Sequence, residues 1–295
     1  MAKITKDFFK MNYPLRSKYS YKTLNGKVLI VAGSKNMPGA AILAALSCYK
    51  SGVGLVSLAV PKEIAQAVAL AVPEALILTL PSTSGSLNKA ALKQIIKYQK
   101  TNPHDVVLIG PGLSSGAKIT LELLNKINLP AVIDADALNF IAKDGAGKLK
   151  DLTKKFPCIL TPHQGEMKRL LKTNTLPKNS YEQLSKITGA VALLKGPKTK
   201  VFYNGILYEN TTGNEGLAKA GSGDALAGII ASIFAQLLKR QSKDSQAAKA
   251  LKAAALGVYL HGKAADEAAK KTGKIALMAS DVILVLPKTL RSIFG

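Results

Sequence analysis

Short, wholly apolar runs alternate with longer helical stretches along most of this chain. Lys27–Ala32 (KVLIVA), Gly54–Val60, Ala75–Leu80, Asp105–Ile109 (DVVLI), Pro130–Ile133, Cys158–Leu160 and Ala190–Leu194 lack the alternation of a half-exposed strand. Runs of this kind predict strands buried on both faces. Between them, helical stretches are expected at Ala40–Ser51, Lys62–Ala71, Leu87–Lys100, Met167–Leu171 and Tyr181–Thr188. Pro38 suits the first turn of the first of these. Lys200–Tyr203 and Ile206–Glu209 read as a hairpin across Asn204-Gly205, a type I′ turn signal. A Gly-rich loop then leads into helices at Gly223–Lys239 and Ser245–Lys271, with a short terminal helix from Ser280. The alternation predicts an α/β fold, a mostly parallel central sheet with helices on both faces in three layers. Residues 1–25 are polar, carry Tyr13, Tyr19 and Tyr21, and show little period. They are expected to form an N-terminal arm or short helix ahead of one domain over residues 26–295. No linker, repeat or low-complexity block divides that domain.

The composition narrows the function classes. The chain has 295 residues, enough for a sizeable core, and a formal net charge of +23. That charge raises nucleic-acid binding, but the lysines are scattered, aromatic residues are 5%, and no RRM, KH or zinc-finger pattern is present. Anionic small substrates and a lysine-rich solvated surface are the more economical account, with no nucleic acid as partner. Gly or Lys breaks every apolar run short of the roughly 18 residues a membrane span needs, so no membrane is expected. The first ten residues carry charge but no apolar leader segment. Cys48 and Cys158 sit in apolar segments without a CxxC pattern, which favours packed free thiols in a reducing cytoplasm.

Five predicted strands end in polar or Gly-rich motifs, at 33–39, 110–112, 134–139, 161–166 and 195–199. The carboxyl ends of parallel strands gather on one edge, so these motifs should converge there. The stretch Gly213–Asp224, followed by an apolar run, reads as a loop feeding a helix N-terminus, an anion site by its free N–H groups and dipole. Gly221 and Gly223 let backbone approach a phosphate. Asp224 beside it is either a helix cap or a general base for a hydroxyl attacking a terminal phosphate. Asp134 and Asp136 are a possible metal pair, with Asp136 equally a helix cap. His163 after Thr161-Pro162 suggests substrate contact. Glu166 pairs with a lysine, caps a helix, or helps hold Mg2+ through water. Lys195 meets a phosphate or is simply solvated. His104 is expected at the surface, and His261 in packing or behind the site.

The order of these motifs carries the specificity. Gly-Ser…Pro-Gly-Ala, Gly-Pro-Gly, Asp-Ala-Asp-Ala-Leu-Asn, Thr-Pro-His-x-Gly-Glu, Leu-Lys-Gly and Ala-Lys-Ala-Gly-Ser-Gly-Asp follow one another from about Gly26 to about Leu286. The series resembles the ADP/ATP-dependent NAD(P)H-hydrate dehydratases of the ribokinase-like superfamily. The resemblance implies a ribokinase-like fold and dehydration of (6S)-NADHX or NADPHX to NADH or NADPH, with ADP or ATP as co-substrate and Mg2+ as cofactor. It assigns hydrate contacts to Ala40, Gly112, His163 and Asp224. It assigns the nucleotide to Lys195, Gly196, Pro197, Lys198, Thr199 and Gly223, with Asn214, Gly221 and Ser222 in the same Gly-rich loop. It also implies a homotetramer. Glu215, Leu217, Lys219-Ala220 and Gln164 depart from the family pattern without removing an assigned chemical group. Some members carry an N-terminal epimerase domain; only some 25 residues precede the match here, so no epimerase activity is expected of this chain. A thiazole or hydroxymethylpyrimidine kinase would share the Gly-Ser-Gly-Asp logic, and a non-catalytic basic nucleic-acid binder is the remaining rival.

Overall fold

A computed structural model describes all 295 residues. The strands are β1 (Ala2–Ile4), β2 (Lys27–Val31), β3 (Leu55–Pro61), β4 (Leu76–Leu80), β5 (Ser82–Thr83), β6 (Ser86–Leu87), β7 (Val106–Ile109), β8 (Ala131–Ile133), β9 (Cys158–Leu160), β10 (Val191–Leu194), β11 (Lys200–Tyr203) and β12 (Ile206–Asn210). The helices are α1 (Lys6–Asn12), α2 (Pro38–Lys50), α3 (Ala65–Ala71), α4 (Lys89–Thr101), α5 (Thr120–Ile127), α6 (Ala135–Asp144), α7 (Leu149–Thr153), α8 (Gln164–Leu171), α9 (Ser180–Thr188), α10 (Ser222–Lys239), α11 (Gln246–Ala276) and α12 (Ala279–Phe294).

Ten strands form one sheet in the order β1-β12-β11-β10-β9-β8-β7-β2-β3-β4. Only β11 runs against its neighbours. The apolar runs are continuous because both faces are covered. In β2, Val28 and Ile30 join the core under α2, α10, α11 and α12, while Leu29 and Val31 join the core under α4 to α9. From β2 the chain first builds outward through β3 and β4, then returns to β7 on the other side of β2. The crevice between the ends of β2 and β7 is therefore a topological switch point, where open α/β sheets bind ligands.

The central helix α10 is 18 residues long with mean hydropathy 1.2, enough by length and composition to cross a membrane, and 72% of it is buried inside the fold. The expectation that no run reaches that length is thus corrected, because Gly228 does not interrupt the helix. Gly228 instead permits close packing: a Cβ there would stand 2.1 Å from the Ala44 carbonyl oxygen of α2. Gly228→Ala is expected to force α2 and α10 apart and lower stability by about 2 kcal/mol, read as a lower urea midpoint.

Other differences have local causes. Of the arm or short helix expected for residues 1–25, the structure has the short helix α1, and with β1 it is built into the layers rather than standing off. Phe9 and Tyr13 stack against one another, and both meet the Phe294 ring of α12 at a tilt. The last helix is long, with Pro287 inside it, because Val282, Ile283, Leu286, Thr289 and Ile293 form a buried stripe. His104 is buried, not surface: Nδ1 lies 2.7 Å from Gln99 Oε1 and Nε2 2.8 Å from Ser57 Oγ. Burial drives its pKa down to about 4, so it is neutral. Both cysteines are buried and free.

Candidate active site

Strand register alone brings distant motifs together. Ile133 pairs with Leu160, and Leu160 with Ala192. One residue further along, Asp134 meets Thr161; three further along from Leu160 and Ala192, His163 and Lys195 form a parallel bridge. Asp134 is 1% exposed. Its Oδ1 accepts from Thr161 Oγ1 at 2.7 Å and from Lys195 Nζ at 2.8 Å. The Lys195 ammonium also lies 3.9 Å from Glu166 Oε2. Burial pulls the Lys195 pKa down, but Asp134, Glu166 and Asp224 outweigh it and hold the ammonium above its ordinary range. Lys195 is therefore an ion-paired residue, not a solvated one.

Asp134 and Asp136 turn to separate protein partners, and the N-cap of α6 is Asp134, not Asp136. Asp134 occupies the N-cap position of α6 without a side-chain cap bond, because its carboxylate is turned to Lys195. Asp136 Oδ2 instead accepts the Ser114 backbone N–H at 2.8 Å. Among His, Cys, Asp and Glu, no group of three or more stands close enough to cage a metal ion.

The Gly-rich loop closes this edge from the other layer. Gly221, at φ +85, is the N-cap of α10, so Ser222, Gly223 and Asp224 make its first turn. The capping alternative for Asp224 lapses, since Gly221 holds that position. A Cβ on Gly223 would stand 3.3 Å from Lys195 Nζ and 3.8 Å from Asp134 Oδ2. The first turn of α10, whose early N–H groups lack helical partners, thus lies close to the buried ion pair. Burial first, then the neighbouring Asp134 and Asp136 charges, raise the Asp224 carboxyl to about 7; Lys195 offsets part of this.

His163 is the N-cap of α8, within a reciprocal capping box. Its Nδ1 accepts from Gly165 and Glu166 N–H groups at 3.0 and 3.3 Å, and Glu166 Oε2 accepts the His163 N–H at 2.9 Å. An accepting Nδ1 assigns the ring proton to Nε2 and makes the imidazole neutral. Burial, Lys195 and Arg169 all push its pKa down in keeping with that. The ring stays half-exposed, with its Nε2 edge 3.5 Å from Glu166 Oε1. Burial raises the Glu166 carboxyl above its usual range, against the pull of Lys195.

Ala40 and Gly112 face one another across the switch-point crevice. Gly33 N–H donates to the Pro111 carbonyl at 2.8 Å, and a Cβ on Gly112 would reach 2.7 Å from the Ala40 Cβ. Leu43, one turn beyond Ala40, lies against Gly221, so this crevice adjoins the start of α10. Gly196, Pro197 and Lys198 form an exposed turn after Lys195, closed by Thr199 Oγ1 donating to the Gly196 carbonyl at 2.9 Å. Asn214 stands apart from the ion pair: its side chain accepts from Gly216 N–H and donates to Asp266 of α11. It borders a cleft of about 390 Å³ with Gly213, Asp266, Lys270 and Lys274. A second cavity, about 110 Å³, lies at the opposite sheet edge around Cys158 and Gly189, away from this chemistry.

The arrangement juxtaposes a helix N-terminus for phosphate, an ammonium held in place by two carboxylates, and a carboxylate whose pKa is matched to accepting a proton near neutral pH. Thr161 and Ser114 belong to this edge and escaped sequence-level assignment. The signal for Thr161 was its place one residue past a strand, level with Asp134 on the next strand. Nothing in the sequence flagged Ser114.

A model of the NAD(P)H-hydrate dehydratase family matches residues 28–288. The bifunctional NAD(P)H-hydrate repair enzyme Nnr of Moorella thermoacetica is 40% identical over 300 residues, covering 98% of this chain and 54% of that protein. The ADP-dependent (S)-NAD(P)H-hydrate dehydratase of Xanthomonas campestris is 30% identical over 283 residues, 91% of this chain and 89% of that one. The crystal structure of ADP/ATP-dependent NAD(P)H-hydrate dehydratase from Bacillus subtilis, co-crystallized with ATP/Mg2+, aligns with TM-score 0.79 at 28% identity, covering 99% and 98% of the two chains. The chain spans about half the length of the bifunctional relatives it matches.

Proposed function

The chain belongs to the NAD(P)H-hydrate dehydratase family, and from that premise we propose that it dehydrates (6S)-NADHX and (6S)-NADPHX to NADH and NADPH, converting ADP to AMP, or ATP to ADP, and phosphate. The observation that carries the proposal is Asp224, a partly buried carboxylate in the first turn of α10, raised to about 7 beside the Lys195–Asp134 pair. Ionised Asp224 takes the proton of the ring hydroxyl as its oxygen attacks the terminal phosphorus of the nucleotide. Hydroxide is a poor leaving group and phosphate a good one. The ring nitrogen then expels phosphate, and loss of a proton from the adjacent carbon restores the dihydronicotinamide. Lys195 and the N–H groups at Gly223 hold the terminal phosphate, with Gly196, Pro197, Lys198 and Thr199 flanking the nucleotide. Ala40, Gly112 and His163 line the hydrate side. Lys195 keeps the proton that Asp134 secures for it, so the group meeting phosphate stays cationic.

Mg2+ fits this donor set as an ion carried by the nucleotide. Asp134 is spent on Lys195 and Thr161, so no all-protein cage exists. Yet three carboxylates (Asp134, Glu166 and Asp224) act on the one Lys195 ammonium, and this excess of negative charge disfavours phosphate. Glu166 would hold such an ion through water. Bound there, it would neutralise charge on the phosphoryl oxygens.

Incubation with ADP and (6S)-NADHX should restore absorbance at 340 nm. A small-molecule kinase would restore none, and that outcome would sink the proposal. Asp224 acts as a base only when ionised, so kcat/KM should rise with pH through an acid limb near 7. An acid limb near pH 4 would assign the proton acceptor elsewhere.

A further inference from the structure

Asp136 has a geometry that the proposed chemistry does not use. It sits in the first turn of α6, and its Oδ2 reaches across to the backbone N–H of Ser114 at 2.8 Å. Ser114 is a left-handed residue, φ +53, and opens the short 3-10 turn Ser114–Ile119. Ala135, which aims Asp134 and Asp136 in different directions, is left-handed too, at φ +48. Left-handed non-glycine residues persist only where their surroundings hold them.

Ser114 ends the turn that begins at Gly110. That turn is gripped at its start as well: a Cβ on Gly110 would stand 1.8 Å from the Asp134 carbonyl oxygen. Between the two grips lie Pro111, bonded to Gly33 across the crevice, and Gly112, left-handed at φ +63 and packed toward Ala40. The segment Asp134-Ala135-Asp136 at the start of α6 therefore holds the Lys195 ammonium with its first carboxylate and the Gly110–Ser114 turn with its second.

We propose that Asp136 is a positioning residue for the hydrate: its carboxylate, bonded to Ser114 N–H, sets the Gly110–Ser114 turn, and with it the Gly112 wall of the crevice opposite Ala40. The inference rests on the reading that the hydrate lies between Ala40 and Gly112. The bond is charge-assisted and joins two chain segments, so its loss lets the turn drift on the hydrate side alone. The nucleotide side, built from Lys195, Gly196–Thr199 and the α10 turn, hangs on Asp134 instead.

Asp136→Ala is expected to raise KM for (6S)-NADHX about tenfold while KM for ADP stays within about twofold. Asp136→Asn should restore most of the hydrate KM, because an amide oxygen still accepts the Ser114 N–H. Asp136→Glu, which keeps the charge but displaces the oxygens by one methylene, should resemble Asp136→Ala and answers the same question if the alanine variant does not fold. An unchanged hydrate KM in Asp136→Ala, an equal rise for both substrates, or no recovery in Asp136→Asn overturns the inference. A wild-type protein without hydrate turnover would instead remove the reading beneath it.

Discussion

Asp224→Asn is expected to lower kcat about a thousandfold, the scale of a positioned general base, while ADP binds as well as before or more tightly. The amide cannot take the hydroxyl proton, yet it removes a negative charge from beside the phosphates. Turnover within tenfold of wild type would displace Asp224 from the role of base. The same variant carries a stability signature of opposite sign. The folded-state pKa of Asp224 lies near 7, above the ordinary value of 3.8, so the folded protein holds this proton more firmly than the unfolded chain. Wild-type stability is thus highest, for this group, when the carboxyl is protonated, and falls as pH rises from about 4 to about 7. The whole rise corresponds to roughly 4 kcal/mol, and partial exposure reduces this to about 1–2 kcal/mol. Asp224→Asn should therefore be the more stable protein at pH 8 and equal to wild type near pH 4. Thermal unfolding at the two pH values measures the difference. A gain in stability alongside a loss of turnover identifies a residue kept charged for chemistry.

Lys195→Met should have the largest effect on stability, a loss of about 3–5 kcal/mol without any ligand present. The methionine fills similar space but leaves the Asp134 carboxylate buried with Thr161 as its remaining side-chain partner. The second change Asp134→Asn should then recover most of that loss, because an uncharged amide no longer needs the ammonium. Urea unfolding of the two single variants and the double variant gives the coupling directly. Independent, additive losses would mean that the two side chains do not form the ion pair described above. Activity should not return in the double variant, since the cation that meets the phosphate is gone.

The strands were legible because each is a dense apolar run, and a doubly covered sheet needs little else. Their polar endings also announced which edge matters. Other elements were not. The three residues of β1 carry no pattern that distinguishes a strand, and their partner lies some two hundred positions away. Helices α5, α6 and α7 are short, 8, 10 and 5 residues, and offer few buried apolar positions each, so their period is hard to read. His104 looked like a strand-leading surface residue; its burial depends on Gln99 and Ser57, which come from α4 and β3.

In the candidate site, individual side chains were easier to see than their connections. Asp224, Lys195, His163 and Glu166 each stood out by type and by place after a strand or loop. That Lys195 belongs to Asp134 follows from the register of β8, β9 and β10, which no local window contains. Local spacing offers Asp136 only two roles, ligand or cap. Its actual partner, a backbone N–H at Ser114, leaves no mark on the residue type there.

β1 pairs only with β12, in parallel, on the outer edge of the sheet. A ribosome releases β12 only after some two hundred residues more than β1. Until then the growing sheet can form from β2 outward, while β1 waits without a neighbour. Their docking then lays a strand over the β12 edge that would otherwise stay open to other chains. β1 thus serves as the last piece fitted, so changes within Ala2–Ile4 would interfere with completion of the edge and not with nucleation of the core.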